Sequence, residues 1–446
     1  MIRSIFERFD LGQRKQKEVG DLEVDTMKGK SVCFTQTVLK ISNGTIAKAE
    51  YDGEPKLIKW FTKADLKKIG NQKVFYDNIR NNVLHGSPGS GFLWPVDITE
   101  WDEGAFGYVM DLWPKEHASL VDFMDGRERF ANWSMIVNAA LSLTSSIMHF
   151  NRRRYHYYNL TEQDVLINTK NGQVLLSNND FASSGMPIKI SKSRLMAPMC
   201  SLDHKKSDDR TDAHLLVVLL FELLFLNHPL EGHAVALRPI INERYKRMFY
   251  VEKPTFMYDE QDDSNRPVRG VHINALLLWN RYPHYIRAAF QESFHRDVMF
   301  ERRRGIAVEE WYQILLRLRS DIIICSCGVE NLRLSGEQKC VRCKKAVEKV
   351  RLFYETGSRV YPVIPGGKIY QCQLDEGTDY ETIAAEFIRG KSNSGLCILK
   401  NVTDSKWTAV SRNGQRYDVE ENGTVMVSDN LKLETKGKII TFKVME

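Results

Sequence analysis

The sequence predicts an α+β protein in which a β-rich stretch precedes a helical one, followed by a small four-cysteine segment and an all-β tail. Three observations carry this. Residues 31–113 alternate or run apolar in short stretches split by turn signals, and residues 115–320 repeat apolar positions at helical spacing. Four of the eight cysteines then fall within 325–343, before residues 348–446 return to short apolar runs.

The 446 residues suffice for several domains with a large core. Hydrophobic content of 43% and charged content of 27% are ordinary for a soluble globular chain. A net charge of +6 is too weak to argue nucleic-acid binding by itself. Two basic runs, NRRRY at 151–155 and ERRRG at 301–305, read as solvated helix ends. The opening stretch MIRSIFERFDLGQRKQKE lacks the apolar region of a secretory signal. The longest apolar run, LLVVLLFELLFL at 215–226, is about half a membrane span and contains Glu222, so it predicts a buried helix. The scattered Cys33, Cys200, Cys372 and Cys397 do not make a disulfide framework, and a reducing cytoplasm is the expected location.

Along the chain, SVCFTQTVLKI, TIAKAEY and KLIKWF predict strands separated by the turn signals SNG and YDGEP. FTKADLKKIGNQKVFYDNIRNNVL predicts one helix, and GYVMDLWP (107–114) a strand ending at its proline. WSMIVNAALSLTSSIMHF is helical by the spacing of Met135, Ala139, Leu143 and Ile147. DVLIN and GQVLLS form a β pair around the Lys170–Asn171–Gly172 turn. A buried helix over 211–226 follows, and the helical region closes with VEEWYQILLRLRSDII.

Several segments in this order resemble the protein kinase fold. Lys59 in LIKWF sits where the lysine of V-A-I-K sits, and NLTEQDVLI fits the catalytic loop H-R-D-L-x-x-x-N, with Leu160 and Val165–Leu166–Ile167 as anchors. TDAHLLVVLLFELL is similar to the central helix of the large lobe, where Asp212 would hold that loop. Met196–Ala197–Pro198 resembles A-P-E, and Arg304 resembles the late arginine that pairs with its glutamate. HPLEG, PTFMYDEQDDSNRP, WNRYPHYIRAAFQESF and the adjoining cysteines resemble bacterial kinase-like proteins of tellurium-resistance-type gene clusters. The resemblance implies a bilobal fold with an N-terminal extension (1–30), a small β lobe (31–113) and a helical lobe (114–320). It implies ATP and Mg²⁺ as ligands, with Lys59, Gln72, Gly44, Met110 and Leu112 around the nucleotide. It implies protein partners, among them a metal-dependent phosphatase and a von Willebrand-type domain protein. Neither a membrane nor a nucleic acid is expected.

The chain departs from the kinase pattern at the chemistry. Asn159 stands where the loop aspartate orients and deprotonates the substrate hydroxyl, and an amide has no useful basicity. Asp164 stands at the metal-ligand position in place of an amide. Either Asn178, by strand phase, or Asp180, in the D-F-G-like Asp180–Phe181–Ala182, takes the second ligand position. Leu39 and Ile41 replace the first two glycines of a phosphate loop that keeps Gly44. No glutamate occurs between 55 and 100 to meet Lys59, which leaves Gln72 as the nearest candidate, and Met199 replaces the glutamate of A-P-E. The favoured reading is therefore a pseudokinase that signals or scaffolds. A second is an active Ser/Thr kinase with a rearranged Asn159/Asp164 site, and a third is a nucleic-acid-associated zinc-ribbon module.

Cys325, Cys327, Cys340 and Cys343 form two knuckles separated by twelve residues, a spacing that brings four thiolates onto a structural zinc ion (321–347). Lys339, Arg342, Lys344 and Lys345 beside the second knuckle read as a solvated face. The tail (348–446) resembles, distantly, a forkhead-associated domain without its phosphothreonine-reading set, and protein interaction is expected of it. Ser411–Arg412–Asn413–Gly414 reads as a hairpin turn.

Overall fold

The computed structural model describes residues 23–41, 44–69, 71–102, 104–184, 194–202, 206–375, 377–390, 397–435 and 437–445. It is a mixed α and β protein in two compact units. The first comprises 1–130, 142–276 and 289–309, and the second 131–141, 277–288 and 310–446.

The first unit opens with a six-stranded antiparallel sheet. Its strands are β1 (Glu23–Asp25), β2 (Ser31–Ile41), β3 (Gly44–Tyr51), β4 (Glu54–Phe61), β5 (Asp97–Ile98) and β6 (Phe106–Met110), in the order β1-β2-β3-β4-β6-β5. The sheet takes in residues ahead of the boundary expected at 31, because β1 adds to the edge of β2. The strand expected over 107–114 stops at Met110, where β6 reaches Leu57 of β4 and Asp111 turns its carboxylate to Lys56 at 2.8 Å. The pleat of β4 sends Leu57 and Phe61 into one core and Ile58 into the other. Lys59 shares the Leu57 face, which α1 (Lys63–Ile69) and α2 (Gln72–His85) cover with Leu66, Phe75 and Ile79.

The single helix expected over 61–84 is two. Thr62 starts α1, its hydroxyl bonded to Asp65, and Asn71 starts α2, accepting from the Val74 N–H at 3.2 Å. Each is an N-cap, which sits outside helical backbone and so forces a new start.

The helical part supplies α3 (Leu120–Met124), α4 (Trp133–Arg152), the short α5 (Pro198–Leu202) and α6 (Asp209–Phe225). Small strands accompany them, one just before α3 and the rest between α4 and α5. β7 (His117–Ser119), β9 (Val165–Asn168) and β10 (Val174–Leu176) form a three-stranded sheet, and β8 (His156–Tyr157) pairs with β11 (Ala182–Ser183). Almost every residue of α6 from Leu215 to Phe225 is buried, as its apolar run predicts.

In the second unit, strands Ile322–Ile324 and Glu330–Leu332 form a hairpin that carries the first cysteine knuckle. Asp321 before it accepts from Arg333 at 2.7 Å and from the Tyr285 hydroxyl at 2.7 Å, and Glu330 accepts from the Ser134 hydroxyl and N–H at 2.7 Å. The tail is a sandwich of a six-stranded and a four-stranded antiparallel sheet. Tyr354, Trp407, Leu433 and Phe442 of the first meet Ile369, Phe387 and Leu399 of the second in one core. Residues 411–414 form the expected turn between Trp407–Val410 and Arg416–Val419, with Gly414 at φ +83°. Among the described residues no helix is long and apolar enough to cross a membrane.

Candidate functional site

Among the described residues Lys59 is the only fully buried lysine, with 1% of its surface exposed. A buried ammonium requires an acceptor, preferably an anion. The sheet offers none at this position, and α2 contains no glutamate. The charge is met instead by the loop after β10. Asp180, with none of its surface exposed, accepts from the Lys59 ammonium at 2.8 Å, and the Asn178 side-chain oxygen accepts a second bond from it.

That loop is held from several sides. Asn178 adopts left-handed backbone (φ 59°), and Asn179–Phe181 make a tight 3₁₀ turn. Asn179 donates to the carbonyls of Leu93 and Leu176 at 2.9 and 2.8 Å and accepts from the Tyr157 hydroxyl at 2.8 Å. From α2, Asn78 donates to the carbonyls of Asp180 and Ala182, and Asn82 to that of Ala182. Phe181 packs against Phe75 at 5.2 Å between ring centres. The helix therefore meets this loop through Asn78 and Asn82, nearly two and nearly three turns beyond Gln72. Gln72 opens α2, and the partners of Lys59 are Asn178 and Asp180, so the expected pairing of Gln72 with Lys59 is not what forms.

Asp164 closes the cluster. It accepts from the Thr161 hydroxyl at 2.7 Å and N–H at 2.9 Å, and the Asn178 amide also reaches it. Burial pushes its carboxyl up to about 6, against the pull of the Thr161 bonds, the Lys59 charge and Asn178. Both residues considered for the second ligand position thus lie at Lys59, and Asn178 also touches Asp164. Tyr108 of β6 stands opposite Lys59, buried, its hydroxyl raised well above the usual range by burial and by the Asp180 and Asp164 charges.

Asn159 lies half-buried between β8 and the Thr161 turn. The preceding chain is fixed by Asp212, which accepts from the Tyr157 N–H at 3.2 Å and bonds His156 Nδ1 at 2.7 Å. Leu39, Leu57, Met110 and Leu112 belong to the hydrophobic cluster that includes Tyr108 and Phe181. The side chain of Ile41 lies outside the described residues. At Gly44 a Cβ would come within 2.9 Å of the Trp60 carbonyl oxygen, so packing alone favours glycine there.

The arrangement holds one ammonium against two carboxylates. With both ionised it carries an excess negative charge, which opposes entry of a polyphosphate without a cation. Asp164, Asn178 and Asp180 are oxygen donors suited to a hard cation, but no side chain among them is a base for a substrate hydroxyl at the Asn159 position.

The second candidate site is the cysteine cluster. The ligand sulfurs of Cys325, Cys327, Cys340 and Cys343 all lie within 4.8 Å of one another. Cys325 and Cys343 are 3.6 Å apart, and Cys327 and Cys340 3.7 Å. Tetrahedral zinc with Zn–S bonds of about 2.3 Å sets its sulfurs about 3.8 Å apart, so the four thiolates fit a metal such as zinc. Each knuckle turns on a left-handed residue directly after its second cysteine, Gly328 (φ 82°) and Lys344 (φ 61°). Asn331 supports the site, donating to the Cys340 sulfur at 3.6 Å and accepting from the Val341 N–H at 2.9 Å.

Compared with protein-family models and with curated proteins, the chain matches none.

Two outcomes follow from this geometry. A carboxyl whose pKa is higher folded than unfolded takes up a proton preferentially in the folded state as pH falls from about 6 towards 4. Urea unfolding at pH 8, 6 and 4 should show the parent gaining about 2 kcal/mol on Asp164→Asn across that range. A constant difference would show an ordinary carboxyl. Reconstitution with Co²⁺ should give a tetrahedral thiolate spectrum at one ion per chain, lost in Cys340→Ser, whereas an octahedral spectrum would exclude the four-thiolate site.

Proposed function

We propose that the first unit is a protein-kinase-like domain that has lost efficient phosphotransfer, and that the protein acts in signalling or as a scaffold. One observation carries the reading. The lysine that a kinase presents to nucleotide phosphates is here closed onto Asp180 and Asn178 inside the protein, beside an asparagine where the base is required. The order of sheet, helix pair, β pairs and buried α6 supports the kinase-like reading. So does Asp212, which grips the chain just before Asn159 as the resemblance implies. The amide at 159 keeps the volume of an aspartate and gives up its basicity, a loss on the order of 10²–10⁴ in rate.

The second reading, an active Ser/Thr kinase, draws on Asp164 and on the pairing of Lys59 by Asp180. A lysine held in place by a loop carboxylate could be handed to phosphate once a cation draws Asp180 away. In both readings the four-cysteine segment is a structural zinc ribbon and the β sandwich an interaction module. The phosphatase and the von Willebrand-type protein implied by the resemblance are partners to test.

Calorimetric titration of ATP, with and without Mg²⁺, into zinc-loaded protein separates the readings, with Lys59→Ala as the control. Weak Mg²⁺-independent binding, or none at millimolar ATP, is expected. Binding that tightens roughly tenfold with Mg²⁺ and vanishes in Lys59→Ala would favour the active kinase. Asn159→Asp would then be the variant in which to measure turnover.

A further inference from the structure

The two arginine runs that the sequence assigns to solvated helix ends open on one cavity. It occupies about 660 Å³ within the first unit. Arg152 and Arg154 enter from the end of α4 and its following turn, Arg210 from the first turn of α6, and Arg303 and Arg304 from the turn after the helix Arg296–Met299. Asp209, Glu301 and Glu309 also line it, which leaves an excess of two positive charges. Arg210 faces Glu301 at 3.7 Å, and Arg303 faces Glu292, outside the cavity, at 3.0 Å. Arg152 and Arg154 form no ion pair among the described residues.

The backbone supplies an independent observation. Arg154 (φ 61°) and Glu301 (φ 55°) both adopt the left-handed conformation, one in each basic run, and both line the cavity. Glycine or asparagine is the ordinary occupant of such a turn, and a long side chain there is strained. Strain of this kind persists where the surrounding structure requires a particular side chain in a particular place. A favourable placement of cations at the C-terminal end of α4 explains Arg152. In the second run the left-handed residue is the acid Glu301, which faces Arg210, so Arg154 is the strained position that places a cation at the cavity.

We propose that this cavity binds a phosphomonoester dianion, gripped first by Arg152 and Arg154. The planar guanidinium fork matches phosphate oxygens in pairs, and a phosphomonoester carries close to two negative charges at neutral pH, matching the excess in the lining. A single carboxylate would meet half of it. Ala213, Val217, Val298 and Met299 leave apolar wall for the group that carries the phosphate. The site is independent of Lys59.

The test is calorimetry on the full-length, zinc-loaded chain, with inorganic phosphate and a short phosphoserine peptide as probes. Arg154→Gly removes a guanidinium while giving that turn the residue it accepts without strain, so lost binding there is not unfolding. Arg152→Glu is the second variant, and Arg412→Glu, on an exposed turn of the tail, controls for net charge. Saturable binding should weaken by roughly tenfold or more in Arg154→Gly and Arg152→Glu, and stay unchanged in Arg412→Glu and Lys59→Ala. Tighter binding of the peptide than of phosphate assigns the site to a phosphorylated side chain, and equal binding assigns it to the free anion. No saturable binding of either probe at tens of millimolar, or an Arg154→Gly affinity equal to the parent's, overturns the proposal.

Discussion

The burial of Lys59 is the constraint on which the centre of the first unit depends. A β strand that alternates Leu57, Lys59 and Phe61 on one face must put an ammonium into an apolar core. Leaving that charge unpaired would cost several kcal/mol, so some element has to supply an anion. The helix α2 packs over the same face and offers amides. The loop after β10 therefore supplies the anion, and the need for Asp180 to reach Lys59 accounts for much of its shape. The left-handed turn at Asn178, the three bonds of Asn179, the tethers from Asn78 and Asn82 and the Phe181–Phe75 contact all fix one short stretch. Sheet, helix and β pair are joined at that point.

The same arrangement limits the chemistry. An ion pair closed inside the protein satisfies the lysine without a ligand, so a polyphosphate has to displace Asp180 to be recognised. The carboxyl of Asp164, raised by its own burial, adds charge of the wrong sign for such a ligand unless it is protonated or bound to a cation. Asn159 then contributes position without basicity. These features fit the proposed reading, in which the site has lost efficient transfer.

Much of this was legible in the sequence, and the reasons differ by residue. The β4 lysine was visible because a cation between apolar neighbours on a strand is uncommon, and the cysteine spacing was visible because two knuckles leave few alternatives. The buried α6 announced itself by its unbroken apolar run. The partner of Lys59 was not legible. The kinase-like pattern calls for a helix acid, and its absence points to Gln72, whereas the counter-charge comes from a loop whose conformation depends on contacts far apart in the chain. Asn78 and Asn82, four residues apart on one helix face, were the available signal, since paired amides within an apolar helix face need backbone partners. The helix break at Asn71 was missed because the apolar spacing continues across it while the N-cap does not. The basic runs are exposed, as their charge suggests, and their convergence on one cavity is a property of the fold.

The most direct measurement is a double-mutant cycle on Lys59 and Asp180, using Lys59→Met, Asp180→Leu and the pair, each unfolded in urea. Each single change leaves a buried charge alone and should cost about 3–5 kcal/mol, while the double variant should recover most of that loss. Single effects that are small and simply add would contradict the account, because Lys59 would then be satisfied without Asp180.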